Sequence, residues 1–336
     1  MSQKLPSLRD VARAAGVSVA TVSLALRQHA SIPESTRERI RAVAAELGYL
    51  PNPRVAELMN HIRRNRSVDT LSETVALFWS DVSRQRVTAL PYLVDFEQAL
   101  RESLREHGYG LECYYEDPQL PPARLQRMLK SKGARGLVLA PLMQSVGNRL
   151  PWDWSNFSVL VVGSANWEPD FNRVCFNHFA EMATILHRLQ ADGYHRIGLV
   201  VNSLLEARSQ HTIVGGFWAG LESKVPKREA FFEAEADSRE EFLAWLDRYQ
   251  PDSMIVAYPP ALTWLEEAQK SLPVVLRMVQ DVPEHSKYPG IFQDFKRLGQ
   301  VTAEQLIGQL QRNEVGIPRD PLQTTITGSW RDLQGM

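Results

Sequence analysis

The chain has 336 residues, of which 44% are apolar and 23% are charged. This length permits two or three domains with large cores, and the ordinary composition argues against long disordered segments. The 2 cysteines form no CxxC pair, which fits a reducing cytosol better than a disulfide-built secreted fold. No signal peptide precedes the first domain, and no apolar run approaches the roughly 20 residues of a membrane helix. We therefore expect a cytoplasmic protein with no membrane partner.

Positive charge is concentrated near the N-terminus. Residues 1–66 hold 11 Lys or Arg and 5 Asp or Glu, although the formal net charge of the whole chain is -1. A small basic module on a larger acidic body is typical of a protein whose head binds a polyanion and whose body does not.

The basic module is predicted to contain three short helices. Ser7 begins "SLRD", a variant of the capping box, and the first helix ends at Gly16. Ser18 can cap a second helix, "VATVSLALR", and a third covers about 34–47. Two short helices joined by a glycine-containing turn make a helix-turn-helix, although periodicity alone equally fits a helical subdomain that only packs on the body. The inner stripe of the third helix is predicted to comprise Ile40, Val43, Ala44 and Leu47.

A fourth helical pattern follows in "YLPNPRVAELMNHIRRNRS". Asn52 is a good N-cap, and Pro53 suits the first helical position. Val55, Leu58 and Ile62 lie on a narrow apolar stripe. A helix this short is marginal alone in water, so it needs a partner: the same helix of a second subunit, DNA, or both.

The order "DVARAAGVSVATVSLAL...STRERIRAVAAELGYLPNP" resembles the DNA-binding head of the LacI-type (lactose-repressor) family of bacterial transcription regulators. The resemblance covers residues 7–58. It implies two heads on a pseudo-palindromic DNA operator, and hinge helices that pair in a homodimer and wedge Leu58 into the minor groove. Arg27, His29 and Thr36 match positions near the phosphates. The full set of DNA-binding residues expected is Ser7, Ser18, Val19, Ala20, Thr21, Ser23, Leu24, Arg27, His29, Thr36, Asn52, Val55 and Leu58.

The recognition positions depart from a hydrogen-bonding pattern. Val19, Ala20 and Leu24 cannot hydrogen-bond bases, so readout would depend on thymine methyl groups, Ser23 and DNA shape. In the hinge, Val55 stands where the family usually has alanine, which implies different groove contacts.

After the hinge, strand-like runs alternate with helical patterns. This alternation predicts two α/β lobes with parallel, doubly wound sheets and a ligand cleft beside the strand ends. The domains expected are a helix-turn-helix head at 1–50, a hinge at 51–70 and a core at 71–336. The predicted strands are 74–79, 109–115, 136–141, 158–163, 196–201, 253–258 and 273–279, and the predicted helices are 92–107, 122–132, 178–192 and 210–223.

The body resembles the family's effector-binding core, which is similar to periplasmic sugar-binding proteins. The likeness is densest at "QDFKRLGQ", and it implies that Asp294 and Phe176 line a sugar pocket. Elsewhere the pocket motif is broken at Gly163, Ile213 and Tyr258-Pro259, where the family commonly has aspartate, arginine and Asn-Asp. Losing an arginine and a carboxylate removes groups that form strong bidentate hydrogen bonds with a polar ligand. Three possibilities therefore stay open: a different effector, a weakened pocket, or no effector at all. The effector-binding candidates are Trp79, Asp81, Phe176, Arg208, Tyr258 and Asp294.

Enzyme and metal motifs are missing from the sequence. It has no GxxxxGK, GxGxxG after a strand, GxSxG or HExxH, and its histidine spacings match no metal site. We therefore expect no enzyme activity, no catalytic residues, no metal and no cofactor. The function predicted is an effector-controlled repressor of transcription; the alternatives are a sugar-binding protein of transport or sensing whose head is incidental, and a regulator that has lost its effector response.

Overall fold

The computed structural model of the chain describes residues 8–26, 32–47, 49, 73–222, 226–280 and 288–332, with the backbone alone at Arg9, Ala20, Ser23 and Lys227. The head contains three helices, α1 (Leu8–Ala15), α2 (Val19–Leu26) and α3 (Glu34–Glu46). They pack on one another around a small core of short side chains. Because these side chains are mostly alanine and valine, the helices approach closely. The buried residues are Val11, Ala12, Ala15, Val22, Ala25, Ile40 and Ala44.

The first lobe of the body is a doubly wound sheet of six strands in the order β2-β1-β3-β5-β7-β13, and every pair is parallel. Its inner strands β3, β5 and β7 are buried on both faces, as continuous apolar runs predict, whereas the edge strands β2 and β13 are partly exposed. A separate two-stranded ladder, β4 with β6, lies beside it. The elements are β1 (Glu73–Trp79), α4 (Arg84–Thr88), α5 (Pro91–Glu106), β2 (Tyr109–Tyr115), α6 (Pro122–Ser131), β3 (Gly136–Leu139), β4 (Gly147–Arg149), β5 (Ser158–Val162), β6 (Asn166–Glu168) and β7 (Arg173–Phe176).

The second lobe repeats the plan in the order β9-β8-β10-β11-β12-β14, with the β12–β14 pair antiparallel and the others parallel. It has its own apolar core. The remaining elements in chain order are α7 (His178–Ala191), β8 (Ile197–Asn202), α8 (Ser203–Arg208), α9 (Thr212–Gly220), β9 (Phe231–Ala234), α10 (Arg239–Tyr249), β10 (Ser253–Val256), α11 (Pro260–Glu267), β11 (Val274–Val279), β12 (Gly290–Phe292), α12 (Phe295–Arg312), β13 (Gln323–Ile326) and β14 (Ser329–Arg331), and a 3₁₀ turn (Lys227–Ala230) precedes β9.

Three segments carry the chain from one lobe to the other. The first joins β7 to α7, the second joins β12 to α12, and the third joins β13 to β14. The third is tight at Gly328, where a Cβ would lie 2.4 Å from Ile291 Cγ2 and 2.8 Å from the carbonyl oxygen of Phe292. Any movement of the lobes must therefore be absorbed by these three short connections.

The predicted fold class is confirmed: a helical head precedes two lobes with parallel sheets. Two predictions were wrong. The helix predicted at 210–223 begins only at Thr212 and ends at Gly220, because Gln210 and His211 take left-handed φ angles of 55° and 58° between α8 and α9. Leu47, predicted on the inner stripe of α3, is 40% exposed because the helix ends just before it. In the part of the chain that the structure describes, no helix is both long and apolar enough to cross a membrane.

Close helix packing places α12 against α5 in the first lobe. The contact is closest at Gly299, where a Cβ would lie 2.5 Å from the carbonyl oxygen of Phe96 and 2.8 Å from the backbone nitrogen of Leu100. These are backbone atoms, which cannot give way as a flexible side chain can. Gly308, on the same helix, would place its Cβ 3.1 Å from the terminal Nη1 of Arg312.

Gly299→Ala is expected to lower the free energy of unfolding by about 1 to 3 kcal/mol, because it overpacks the helix contact. Gly308→Ala is the matched control, since alanine gains up to about 1 kcal/mol of helix propensity and displaces only the end of an arginine. Thermal unfolding followed by circular dichroism measures both. Equal midpoints for the two variants would contradict this account of the α5–α12 contact.

Candidate functional site

The start of α2 is held by a capping contact, as predicted. The hydroxyl of Ser18 accepts a hydrogen bond from the backbone N–H of Thr21 at 3.0 Å and lies 2.8 Å from its side-chain oxygen. Ser18 is exposed and Val19 is 41% exposed, whereas Val22 is fully buried against the other helices. The helix therefore turns its N-terminal end outward and its middle inward, which is how a recognition helix enters a groove.

For the other predicted DNA-binding residues, the structure describes the side chains of some, only the backbone of two, and none of the rest. Thr21, Leu24 and Thr36 are half-buried. Glu34, in the first turn of α3, pairs with Arg37 and Arg41. Ala20 and Ser23 lie in α2 with only their backbone described, and the remaining predictions fall outside the described residues: Ser7, Arg27, His29, Asn52, Val55 and Leu58.

A cavity of about 320 Å³ lies between the two lobes. Its walls come from both, with Tyr92, Phe176 and Phe295 on the first lobe and Arg208 and Arg277 on the second. The rings of Phe176 and Phe295 are 5.1 Å apart, and those of Tyr92 and Phe295 are 4.8 Å apart. The cavity lies at the carboxyl ends of parallel strands, where doubly wound sheets bind ligands.

The buried carboxylate of Glu181, in the first turns of α7, connects all three segments between the lobes. One oxygen accepts a hydrogen bond from the Gly328 backbone N–H at 3.0 Å, and the other accepts from Gln293 Nε2 at 2.6 Å. The second oxygen also lies 3.3 Å from His178 Nδ1. Burial raises the pKa of Glu181, but its contacts with His178, Arg277 and Gln293 outweigh burial and hold that pKa below its ordinary value. Glu181 is therefore an ionised hydrogen-bond acceptor at neutral pH.

His178 has more neighbours than one ring nitrogen can satisfy. Arg277 Nη1 and Gln293 Nε2 each lie 3.3 Å from Nδ1, as does the Glu181 oxygen. A neutral Nδ1 accepts from the two donors, whereas a protonated Nδ1 donates to Glu181. Burial lowers the pKa of His178, and the charge of Arg277 lowers it further, against the opposing effect of Glu181. The neutral ring therefore dominates at pH 7.

Two contacts bridge the lobes beside the cavity. Arg208 Nη1 donates to the carbonyl oxygen of Met143 at 2.5 Å. The side-chain amide of Gln210 donates to the carbonyl oxygen of Ser164 at 2.7 Å and to Asn166 Oδ1 at 2.9 Å. Both donors follow β8, and the three acceptors belong to two loops and the start of β6 in the first lobe, so these bonds depend on the distance between the lobes.

The structure brings two of the effector-binding candidates, Phe176 and Arg208, together in the cavity. Trp79 is fully buried against Phe96 in the core of the first lobe and does not line the cavity. Asp81 lies beneath the loop at 143–145, where its carboxylate accepts from the backbone N–H groups of Met143, Gln144 and Ser145.

The remaining two candidates also lie beside the cavity rather than in its wall. Tyr258 packs on Trp264, with ring centroids 5.6 Å apart, while its neighbour Pro259 lines the cavity. Asp294 is exposed and caps α12 by accepting from the Arg297 backbone N–H at 2.9 Å. The sequence placed the right segments at the cavity but not always the right residue, because adjacent residues at a strand end point in different directions.

Sequence reasoning missed Arg277, Glu181 and Gln293. Arg277 interrupts the apolar strand "VVLRMV" and is only 5% exposed. The sequence could have revealed it as a charged residue inside an apolar run, because a buried charge is costly unless it has a partner or a functional role. Ile213, at the position of a common family arginine, is fully buried in the second core. Gly163 lines the cavity with φ at 92°, a conformation that an aspartate there would rarely adopt.

The described residues bring together no group of three or more His, Cys, Asp or Glu side chains that could hold a metal ion. The residues around the cavity supply donors, aromatic faces and buried charge. This arrangement suits reversible binding of a small molecule.

A helix-turn-helix head combined with a two-lobed α/β body around a cavity defines the architecture of ligand-controlled bacterial regulators. The family model "Bacterial regulatory proteins, lacI family" matches residues 7–52. The chain is 33% identical over 111 residues to the maltose regulon regulatory protein MalI of Vibrio furnissii, which covers 33% of this chain and 70% of that protein. The chain belongs to the LacI family.

Two further comparisons extend over the body. The transcriptional repressor CytR of Escherichia coli K12 is 25% identical over 204 residues, covering 58% of this chain and 53% of CytR, so the match spans about half the length of that relative. The structure of a lac repressor dimer bound to operator and an anti-inducer aligns with a TM-score of 0.53 at 21% identity, covering 98% of each chain. The second likeness shows a shared fold.

Glu181→Gln is expected to lower the free energy of unfolding by about 1 to 3 kcal/mol, because an amide turns a donor toward Gln293 or Gly328 and leaves a buried group unsatisfied. Chemical denaturation measures the change. Glu241→Gln, at an exposed position of α10, is the control and should leave stability within about 0.5 kcal/mol of the wild type. A Glu181 variant as stable as the control would refute the role of its carboxylate.

Stability is expected to fall as the pH drops below about 6.5, the ordinary pKa of histidine. The pKa of His178 is lowered in the folded chain, so the unfolded chain takes up a proton first and gains stability relative to the fold. Thermal midpoints between pH 7.5 and pH 5.5 measure this slope. His178→Gln should flatten it, whereas His187→Gln, at an exposed position of the same helix, should keep the wild-type slope. Parallel slopes for both variants would count against the assignment.

Proposed function

We propose that this protein is a repressor of transcription that binds a pseudo-palindromic operator as a homodimer and responds to a small-molecule effector between its lobes. The observation that carries the proposal is the outward-facing start of α2, capped by Ser18 and exposing Val19, inside the segment matched by the family model. The protein has no catalytic role in this proposal, and it needs no cofactor.

Base contacts would come from α2. Ser18, Thr21 and Ser23 can hydrogen-bond to DNA, whereas Val19, Ala20 and Leu24 offer apolar contacts to thymine methyl groups. The exposed side chain of Val19 supports such a contact. Because few of these groups can form bidentate bonds with bases, sequence preference would depend strongly on DNA shape and on how easily the operator bends.

Phosphate contacts and the hinge would complete the operator complex. Arg27, His29, Thr36 and Ser7 would hold the backbone, with Asn52 and Val55 beside the minor groove. Leu58 would enter a central base step as an apolar wedge, which bends the DNA and lets two hinge helices pair. The lac repressor dimer bound to operator supports this mode of assembly by its shared fold.

The effector would bind in the cavity between the lobes. Aromatic rings of the first lobe and polar side chains of the second face one another there, which suits a sugar or sugar derivative as the ligand. The name of the relative MalI, a maltose regulon regulatory protein, supports a link to carbohydrate metabolism. A formed cavity of about 320 Å³ favours a regulator that has kept its effector response over one that has lost it.

Control of DNA binding would follow from a difference in effector affinity between two arrangements of the lobes. The Arg208–Met143 and Gln210–Ser164 bonds cross between the lobes, so a ligand that shifts the lobes must remake them. Since the hinge precedes the first lobe in the chain, a change in lobe position in both subunits would alter whether the hinge helices meet.

The test is selection of bound duplexes from a randomised DNA pool at two salt concentrations, followed by titration of the selected duplex. We expect one palindromic motif with a flexible central step. Leu58→Ala should weaken binding to that duplex at least tenfold while changing binding to random DNA by less than about threefold, because sequence-independent affinity comes from phosphate contacts. Leu47→Ala, at an exposed leucine of the head, is the control and should bind like the wild type.

Two results would contradict the proposal. Recovery of only salt-sensitive, sequence-blind binding would mean that the head is a general DNA anchor. An equal loss on selected and random DNA in Leu58→Ala would remove the wedge from the mechanism.

A further inference from the structure

The charged groups in the wall of the cavity all have the same sign. Arg208 and Arg277 line it, and none of the described lining residues is Asp or Glu. The neighbouring carboxylates, Glu181 and Asp81, lie behind the wall and already accept hydrogen bonds from other groups. Within the described part of the chain, the cavity is therefore a site with two fixed positive charges and no acidic group in its wall.

The guanidinium of Arg277 is incompletely satisfied. The residue is 5% exposed, its Nη1 lies 3.9 Å from Glu181, and its Nε has no hydrogen-bond partner among the described residues. Burial lowers the pKa of Arg277; Glu181 opposes this effect and the nearby charge of Arg208 adds to it. A buried cation with a like charge nearby is costly, and the negative charge of an anion in the cavity would offset part of that cost.

The rest of the wall is apolar and aromatic. Phe176, Phe295 and Tyr92 form a continuous set of rings on the first lobe, opposite the two arginines of the second. The phenol of Tyr92 lies within the field of Arg208 and Arg277, and burial raises its pKa, so it is a neutral hydrogen-bond donor. A ligand that matches both sides needs an anionic end and a body with apolar faces.

We propose that the effector is a small organic oxyanion, a carboxylate or a phosphate ester, whose charged group binds Arg277 and Arg208 and whose body packs on Phe176 and Phe295. Guanidinium groups donate two parallel hydrogen bonds to carboxylate or phosphate oxygens. Among the sugars and sugar derivatives proposed above, one that carries such a group matches the two guanidinium groups better than a neutral sugar, because the described wall contains no carboxylate to accept from hydroxyl groups. The cavity volume of about 320 Å³ corresponds to a ligand of monosaccharide size.

The same contacts connect the ligand to the arrangement of the lobes. Arg208 bonds to Met143 across the cleft, so an oxyanion that takes its guanidinium competes with an inter-lobe bond. Arg277 lies against His178, which is next to the Glu181 carboxylate that joins the crossing segments. The effect of the ligand on regulation rests on the proposed function. Binding of the anion itself does not, because it can be measured without DNA.

The experiment compares ligands that share a ring and differ in charge. Thermal midpoints of the full-length protein are measured at constant ionic strength with D-glucose, D-glucuronate, D-glucose 6-phosphate, inorganic phosphate, and the pair phenylacetate and 2-phenylethanol. The same titrations are repeated on Arg277→Met, which keeps an apolar side chain in the wall. Arg248→Met, at an exposed position of α10 in the same lobe, controls for the loss of one positive charge.

The expected result is a rise in midpoint with at least one anion, no rise with its neutral counterpart, and an apparent affinity at least tenfold weaker in Arg277→Met but unchanged in Arg248→Met. A response to glucuronate or phenylacetate identifies a carboxylate, and a response to glucose 6-phosphate or inorganic phosphate identifies a phosphate. The proposal is overturned if no anion stabilises the wild type, if neutral ligands bind equally well, or if Arg277→Met keeps the wild-type response.

Failure of this inference is distinguishable from failure of the proposed function. Selection of operator DNA by the wild type, performed without any anion, decides whether the protein is a sequence-specific regulator. If an anion raises the thermal midpoint and sequence-specific DNA binding is not found, the anion site is supported and the regulatory role is contradicted. If operator binding is found and no anion raises the thermal midpoint, the proposed regulatory function is supported and the effector belongs to another chemical class.

Discussion

The carboxylate of Glu181 joins the three segments that cross between the two lobes. It is fully buried and accepts hydrogen bonds from Gln293 and Gly328, which belong to the second and third crossing segments, while Glu181 itself follows the first. A buried ionised group is tolerated because its donors compensate the lost hydration. The three connections can therefore move only together, and the cavity beside them changes shape when they do.

If the cavity binds the proposed effector, this arrangement makes it a point of control as well. His178 lies between the Glu181 carboxylate and the Arg277 guanidinium, so a ligand charge placed on Arg277 acts on the same network that fixes the crossing segments. Low local polarity strengthens these interactions and makes their loss costly. Coupling between ligand and lobe position then needs no long chain of side-chain movements, because the two sites share a residue.

Local patterns predicted seven strands and four helices of the body with small errors at their ends, and left others unpredicted, among them α10, α11 and α12. The apolar runs of β1 and β2 and the face of α5 follow directly from strand and helix periodicity, and the capping role of Ser18 follows from its place before α2. The start of α9 at Thr212 was misplaced by two residues, because left-handed residues other than glycine, here Gln210 and His211, leave little signal in a single sequence. Arg277 escaped because its strand reads as apolar and its burial depends on the neighbouring strands.

The sequence by itself determined the order of the domains, the helix-turn-helix head, the alternation that yields two doubly wound lobes, and the segments that reach the cleft. These properties follow from residue spacing and composition, which can be recognised within short stretches of the sequence. Only the tertiary structure decided which side chains line the cavity. It placed Trp79 in the core of the first lobe, Asp81 beneath a loop and Asp294 at a helix cap. It also brought Glu181, Gln293 and Gly328 together. The physical reason is that Glu181 lies more than a hundred positions from Gln293 and Gly328, and Asp81 lies 63 positions from Gln144, so these contacts are fixed only when distant parts of the chain have packed.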